Sequence, residues 1–141
     1  MRVIEVTSVY YHVQLNLLPK DLRKFISKQV DADKFYLVFD NTGLPAGGFG
    51  TTSQGWLLGL FSLKKQLGDS ILDLGIEQLK IDSQEDVMKL FCTGEFLRKM
   101  YFKKGFDVYS IVEWDKREAP KDWNYKKYGS PPLYFMRKTK D

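Results

Sequence analysis

Cysteine is almost absent from this chain. Cys92 is the only one, so no internal disulfide can form and nothing in the thiol content argues for secretion. Histidine is equally scarce: His12 stands alone, with no serine or cysteine partner in a recognisable motif, which leaves a Ser/His or Cys/His triad unsupported. No Cys/His cluster has metal-ligand spacing, so no metal is expected. No apolar run approaches a membrane span, and the opening Met-Arg-Val-Ile-Glu-Val-Thr lacks the apolar core of a signal segment. Neither charge dominates. The 22 Lys and Arg against 18 Asp and Glu leave +4, which suits anionic ligands weakly and does not mark a nucleic-acid protein. Internal repeats and low-complexity tracts are missing too. The expectation is a cytoplasmic, metal-free protein that needs no membrane.

What is present is apolar residues, at 43% of the chain, arranged with clear periodicity. Its 141 residues suit one domain, 1–141, with a sizeable core. Arg2 to Thr7 alternate as a strand. Pro19 suits a first helical turn, and Leu22, Phe25, Ile26 and Val30 recur at helical spacing, so a helix is expected there, ended by Asp31-Ala32-Asp33. Phe35 to Phe39 is a strand, and Asp40-Asn41-Thr42-Gly43 turns into a further strand over Leu44 to Thr52, weakened by Pro45, Gly47, Gly48 and Gly50. Trp56 to Leu63 is the clearest strand. A helix should start near Asp69, with Ile71, Leu72, Leu74, Ile76 and Leu79 as its buried stripe. Then come a strand over Val87 to Cys92, a helix marked by Phe96, Leu97, Met100 and Tyr101 and stopped at Gly105, and a strand over Val108 to Trp114. A long aromatic connection precedes a last strand at Leu133 to Met136. Strands alternating with helices predict an α/β domain, and the hairpin near 40–43 makes its sheet mixed.

One turn carries a chemical signal. Lys65-Gln66-Leu67-Gly68-Asp69-Ser70 follows an apolar strand and opens a helix. Free amides at a helix start and the helix dipole point at one spot, where a phosphate can sit. Gly68 allows close approach, Ser70 leaves the helix start uncrowded, and Lys64 and Lys65 add positive charge. An ordinary strand-to-helix turn with solvated lysines has the same composition. Gly48-Phe49-Gly50 imitates a dinucleotide fingerprint but lacks the third glycine and the following helix.

A second element follows in Tyr101-Phe102-Lys103-Lys104-Gly105-Phe106. With both in view the chain, over about residues 34 to 138, resembles the GNAT superfamily of acyl-CoA-dependent N-acetyltransferases. That family carries a Q/R-x-x-G-x-G/A turn after its fourth strand and a Y-x-x-x-G-F segment closing a later helix. The tail Trp114-Asp115, Ala119-Pro120, Trp123, Tyr125, Gly129, Pro131 and Phe135-Met136 is similar to the compact subset found in tailed-phage genomes. Lys65 stands where Gln or Arg is usual, and Ser70 where Gly or Ala is usual; the backbone donors survive both changes, with some loss of affinity.

The resemblance implies a mixed, mostly antiparallel sheet with flanking helices whose fourth and fifth strands splay. Trp56 to Ser62 and Lys89 to Cys92 would wall a slot for the pantetheine arm of acetyl-CoA, the acyl donor. It implies that Leu60, Phe61 and Ser62 bond the pantetheine amides and polarise the acetyl carbonyl through main chain. Lys65, Gln66, Leu67, Gly68, Asp69 and Ser70 would hold the diphosphate, and Tyr101 would protonate the departing thiolate. A buried helix face explains Phe96, Leu97, Met100 and Tyr101 equally simply. For the base that deprotonates the amine, Glu95, Glu113 and Asp115 are candidates; Glu113 and Asp115 have the right chain position, and Glu113 is the expected catalytic residue of the three. Solvated carboxylates fit all three as well. Cys92, in an apolar strand, reads as a core thiol.

The aromatic tail admits a stacking surface for single-stranded nucleic acid, built from Trp123, Tyr125 and Tyr128 with Lys121, Lys126 and Lys127. The favoured alternative packs these rings over the sheet, shaping an acceptor pocket while the lysines stay wet. The leading function is direct acetyl transfer from acetyl-CoA to an amine acceptor in the cytoplasm (the host's, for a phage-encoded chain). The competing one is a catalytically inactive GNAT-fold protein that binds a host factor. Edge strands in such sheets commonly pair, which leaves a homodimer open.

Overall fold

A computed structural model describes all 141 residues, Met1 to Asp141. Seven strands form two separate antiparallel sheets. The first takes β1 (Arg2–Val6), β2 (Lys34–Phe39), β3 (Pro45–Thr51) and β4 (Leu57–Ser62) in the order β1-β2-β3-β4; the second takes β5 (Val87–Thr93), β6 (Asp107–Val112) and β7 (Leu133–Thr139) in the order β5-β7-β6. Between them lie α1 (Ser8–Leu15), the one-turn α2 (Lys20–Arg23), α3 (Gly68–Asp82), α4 (Glu95–Lys103) and the one-turn α5 (Tyr125–Tyr128). This is the expected mixed, mostly antiparallel α/β arrangement.

Alternation along β2 assigns helices to faces. Tyr36 and Val38 point into a cluster of 15 buried residues shared by α3, α4 and both sheets, including Ile71, Leu72, Leu79, Met88, Tyr101 and Met136. Phe35 and Leu37 point the other way, into a second cluster of seven with Tyr11, Leu15, Leu18, Val30 and Phe61. So α3 and α4 cover one side of the molecule and α1 the other, each burying its apolar stripe. The glycines of β3, read as weakening that strand, mark close contact instead. A Cβ at Gly47 would come within 2.6 Å of Ile71 Cδ1, one at Gly48 within 2.6 Å of the Tyr36 carbonyl oxygen, and one at Gly50 within 2.7 Å of Ala32 Cβ.

Two local expectations change. Ser8–Leu15 is a helix that the sequence reading did not assign, capped by Thr7, whose hydroxyl accepts from the Tyr10 N–H at 3.2 Å. The helix expected over residues 19–30 is only the single turn Lys20–Arg23. Beyond it the Arg23 guanidinium donates to the carbonyls of Ile26, Ser27 and Lys28 at 2.8–3.1 Å; of these only the Ile26 carbonyl would have had an internal partner in a helix ending at residue 30. Phe25 meanwhile leaves its stripe to pack on Trp123 and Tyr128. Tertiary contacts outweigh the helical spacing here.

Candidate functional site: a cleft between parting strands

The two sheets meet only at one point. Trp56 bridges Lys89 in parallel, with the Lys89 N–H donating to the Gly55 carbonyl at 2.7 Å, and beyond it β4 and β5 diverge. The gap is a cleft of about 1030 Å³, walled by Leu57 to Ser62 on one side and Leu90 to Leu97 on the other. Each strand therefore turns an edge of unpaired main chain toward the gap, which a buried ligand amide can satisfy.

A bulge widens it. Gly59 interrupts β4 with φ 57°, and the β3–β4 register shifts across it. The Tyr11 hydroxyl donates to the Gly59 carbonyl, and a side chain at 59 would collide with that hydroxyl and with Val30. Burial raises the Tyr11 pKa, so this phenol stays a donor. The pattern Trp56 to Leu63 reads as an uninterrupted strand; only Gly59 hints at the bulge.

At the open end of β4 lies the anion turn. Gln66 takes φ 69° and Leu67 φ −98°, ψ −8°, a left-then-right alternation that turns successive amides to one side. No group of the protein accepts a hydrogen bond from the amides of Lys65 to Ser70. Six main-chain donors are thus free at the start of α3, a helix of 15 residues whose dipole adds to them. Gly68 has nothing within 4 Å of where a Cβ would stand, so the approach is clear. Gln66, Gly68 and Asp69 line the cleft, whereas Lys65 is exposed and Leu67 and Ser70 are half-buried behind it. The charge is distributed otherwise than the sequence suggests. Lys64 is held by Asp40, whose carboxyl it keeps well below the usual carboxylate range, aided by Thr42. Asp69 is neutralised by Lys104 at 3.0 Å. Lys65 is left as the turn's unpaired cation.

On the facing wall, Tyr101 reaches the cleft from α4 while only 6% exposed. Its hydroxyl meets no protein acceptor, yet it is not sealed from the cleft. Burial first, and Cys92 second, push its pKa upward, which keeps the proton on oxygen at any neutral pH. The spacing of the Tyr-x-x-x-Gly-Phe segment has a structural cause. Gly105 ends α4 at φ 97°, and the Phe106 N–H turns back to donate to the Tyr101 carbonyl at 3.2 Å while its ring is fully buried. This helix-ending bond, spanning six residues, fixes the backbone that carries Tyr101.

Of the carboxylates named as possible bases, only Glu95 lines the cleft. Arg98 at 2.6 Å and the Tyr134 hydroxyl hold it ionised and lower its pKa. Glu113 is exposed just past the end of β6 and does not line the cleft. Asp115 caps the 3-10 turn Lys116–Glu118 and pairs with Arg117. Cys92 is in the wall, but burial pushes its thiol up to about 12, so it is no nucleophile. His12 is structural: the Val30 N–H donates to its Nε2 at 3.1 Å, leaving Nδ1 to donate to the Ser8 carbonyl at 2.7 Å.

The other mouth of the cleft lies on the α1 side. Leu18, Leu22, Phe25 and Ile26 from the α1–α2 stretch face Tyr128, Pro131 and Pro132 from the β6–β7 connection. Phe25 sits 5.2 Å from Trp123 and 5.0 Å from Tyr128 between ring centres, Trp123 meets Trp114 at 4.8 Å, and Lys24 Nζ donates to the Asp122 carbonyl at 2.8 Å. Trp123 is 7% exposed while Lys121 and Lys126 are exposed. The aromatic tail is packed as a roof, with its lysines in water. The contribution of residues 18–26 to this mouth was hidden in what reads as an ordinary amphipathic stripe.

No family model matches the sequence, and no curated protein is detectably similar to it. Solved structures do match. An acetyltransferase of the GNAT family from Streptococcus pneumoniae superposes with TM-score 0.54 at 22% identity, over 75% of this chain; the chain spans 65% of that protein. A spermidine N-acetyltransferase SpeG mutant from Vibrio cholerae gives TM-score 0.69 at 9% identity, over 99% of this chain and 95% of the other. A ribosomal-protein-alanine N-acetyltransferase from Brucella melitensis gives 0.59 at 12%, over 99% of both. Parting strands, a bulged β4 and full-length superposition lead to one conclusion about architecture: this chain has the fold of the GNAT acetyltransferases.

Proposed function

We propose that the protein is an acetyl-CoA-dependent N-acetyltransferase that transfers acetyl directly to an amine. One observation carries the reading: a turn of free amides that reaches the cleft at Gln66, Gly68 and Asp69, the unpaired edges of β4 and β5, and Tyr101 all border one cleft. The donor set fits coenzyme A. Amides of Gln66 to Ser70 would hold its diphosphate, with Lys65 adding charge, and the main chain of Leu60, Phe61 and Ser62 would bond its pantetheine arm. Acetyl-CoA would supply an activated thioester carbonyl.

The chain's own residues do the rest. Main-chain amides aimed at a developing oxyanion stabilise the transition state, and losing one such donor costs about 2.7–4 kcal/mol. Burial strengthens that effect and keeps Tyr101 protonated, ready to donate to sulfur as it leaves. Glu113 is exposed and does not line the cleft, so as the base it would act through water. The likeness of residues 114–136 to phage-encoded relatives rests on sequence and belongs to the same proposal. So does a cytoplasmic setting; the structure itself has no helix long and apolar enough to cross a membrane. The free edge of β6 is where a second copy would pair in a homodimer.

Titration calorimetry with acetyl-CoA, followed by a free-thiol assay with a mixed amine panel, tests this. Saturable binding and amine-dependent thiol release are expected. Absence of binding at millimolar acetyl-CoA would overturn the transferase reading, and binding without turnover on any amine would favour the catalytically inactive alternative.

A further inference from the structure

The α1-side mouth of the cleft is the end from which an acceptor would enter, since the phosphate turn and α4 occupy the opposite face. Its composition is one-sided. Leu18, Leu22, Phe25, Ile26, Tyr128 and Pro131 form an apolar and aromatic collar, and no carboxylate stands among the residues lining it. Its one charged member is Lys127, which pairs with no acid and lies 5.2 Å over the Tyr128 ring. The only carboxylates anywhere in the cleft wall, Asp69 and Glu95, are on the α3–α4 face, each already bound to a cation: Lys104 at 3.0 Å and Arg98 at 2.6 Å.

From this collar, and resting on the transferase reading above, we infer that the acceptor is an α-amino group carried beside an apolar side chain, rather than a polyamine or a lysine side chain. A polyamine needs anionic partners along its length, and this mouth offers none: beside Lys127 it has only apolar and aromatic groups and the hydroxyls of Ser27, Ser130 and Tyr128. An apolar side chain gains by leaving water against Leu22, Phe25 and Ile26. The chemistry agrees. Only a neutral amine can attack, and the collar holds no base to remove a proton. An α-amino group, with pKa about 7.7–8.0, is partly neutral at physiological pH, whereas a lysine amine at about 10.4 is almost wholly charged. In the step itself the neutral nitrogen's lone pair forms the N–C bond as the C–S bond breaks. The thiolate takes the Tyr101 proton, and the surplus proton on nitrogen passes to water and so returns to Tyr101.

The test measures kcat/KM with acetyl-CoA for phenylalanine amide, a pentapeptide beginning with Phe, Nα-acetyl-lysine amide and spermidine, with acetyl-CoA binding followed separately by calorimetry. The α-amines should lead both other amines by about tenfold or more, the scale on which apolar contacts discriminate. A further gain of the pentapeptide over the amide would identify a peptide terminus as the source, and equality a single residue; both support the inference. The kcat/KM of the α-amines should rise with pH and level off near pH 8. Leu22→Glu and Lys127→Glu, both at exposed positions, should each narrow the preference toward spermidine. Acetyl-CoA binding with spermidine or the lysine amide preferred, or with no α-amine acetylated, would overturn the inference and leave the cofactor site standing. Failure of acetyl-CoA to bind would overturn both.

Discussion

The two ends of the cleft are made of different material. At the proposed phosphate turn the groups on offer are main-chain amides, oriented by the backbone of Gln66 and Leu67 and the start of α3. At the α1-side mouth they are side chains, Leu22, Phe25 and Tyr128, brought together from segments about a hundred residues apart and locked by ring-to-ring packing. As proposed, the first end depends on backbone geometry and should tolerate changes of side chain such as those at Lys65 and Ser70. The second depends on side-chain identity and can be retuned without disturbing the first. Cofactor binding and acceptor choice should therefore respond to separate sets of mutations.

The largest expected effect breaks the main-chain end. Gly68→Trp finds open space in the protein alone, so it should fold normally. By displacing the diphosphate it removes at least two hydrogen bonds to a charged group, at about 1.5–3 kcal/mol each, weakening acetyl-CoA about a hundredfold or more by calorimetry. Tyr101→Phe keeps the buried ring and removes only the proton donor. Turnover should fall about a hundredfold, as for loss of a general acid, with acetyl-CoA affinity unchanged. In the intact protein, because the Tyr101 pKa is raised by burial, the rate should show no alkaline fall from this residue up to about pH 10, the ordinary value for the phenol.

How far these ends were legible in the sequence follows from the same division. The turn was readable because strand, glycine and helix start are contiguous, and its amides need no particular side chains. Tyr101 was readable because Gly105 and Phe106 follow it at the spacing of the helix-ending bond. The bulge at Gly59 was not, since its cause, the Tyr11 hydroxyl, is far away in the chain in a helix whose apolar stripe is short. Nor was the acceptor collar: Leu22, Phe25 and Ile26 have helical spacing, and only the distant Trp123 and Tyr128 show why that helix stops at Arg23. Glu113 had a suitable chain position, but position along a strand says nothing of which way the chain turns after Val112. Local, backbone-driven features were visible; those set by contacts between remote segments were not.

The smaller predictions sharpen the side-chain end. Phe25→Ala removes the ring joining the two halves of the roof. Because Phe25 is only half-buried, the substitution should cost less than the about 3–5 kcal/mol of a core phenylalanine in denaturant unfolding, and raise KM for the acceptor while sparing acetyl-CoA affinity. Lys65→Ala removes one exposed charge from the phosphate turn. Its effect on acetyl-CoA affinity should be about 0.2–1 kcal/mol and shrink as salt is added. A large, salt-independent loss would mean that the side chain, not the backbone, holds the phosphate.

A crystal structure with coenzyme A bound tests the main-chain site most directly. The diphosphate oxygens should lie about 2.7–3.2 Å from amide nitrogens of Gln66 to Ser70, with the thiol between β4 and β5 beside the Tyr101 hydroxyl. A diphosphate held elsewhere, or a thiol outside the gap between the strands, would contradict the site and the transfer chemistry built on it.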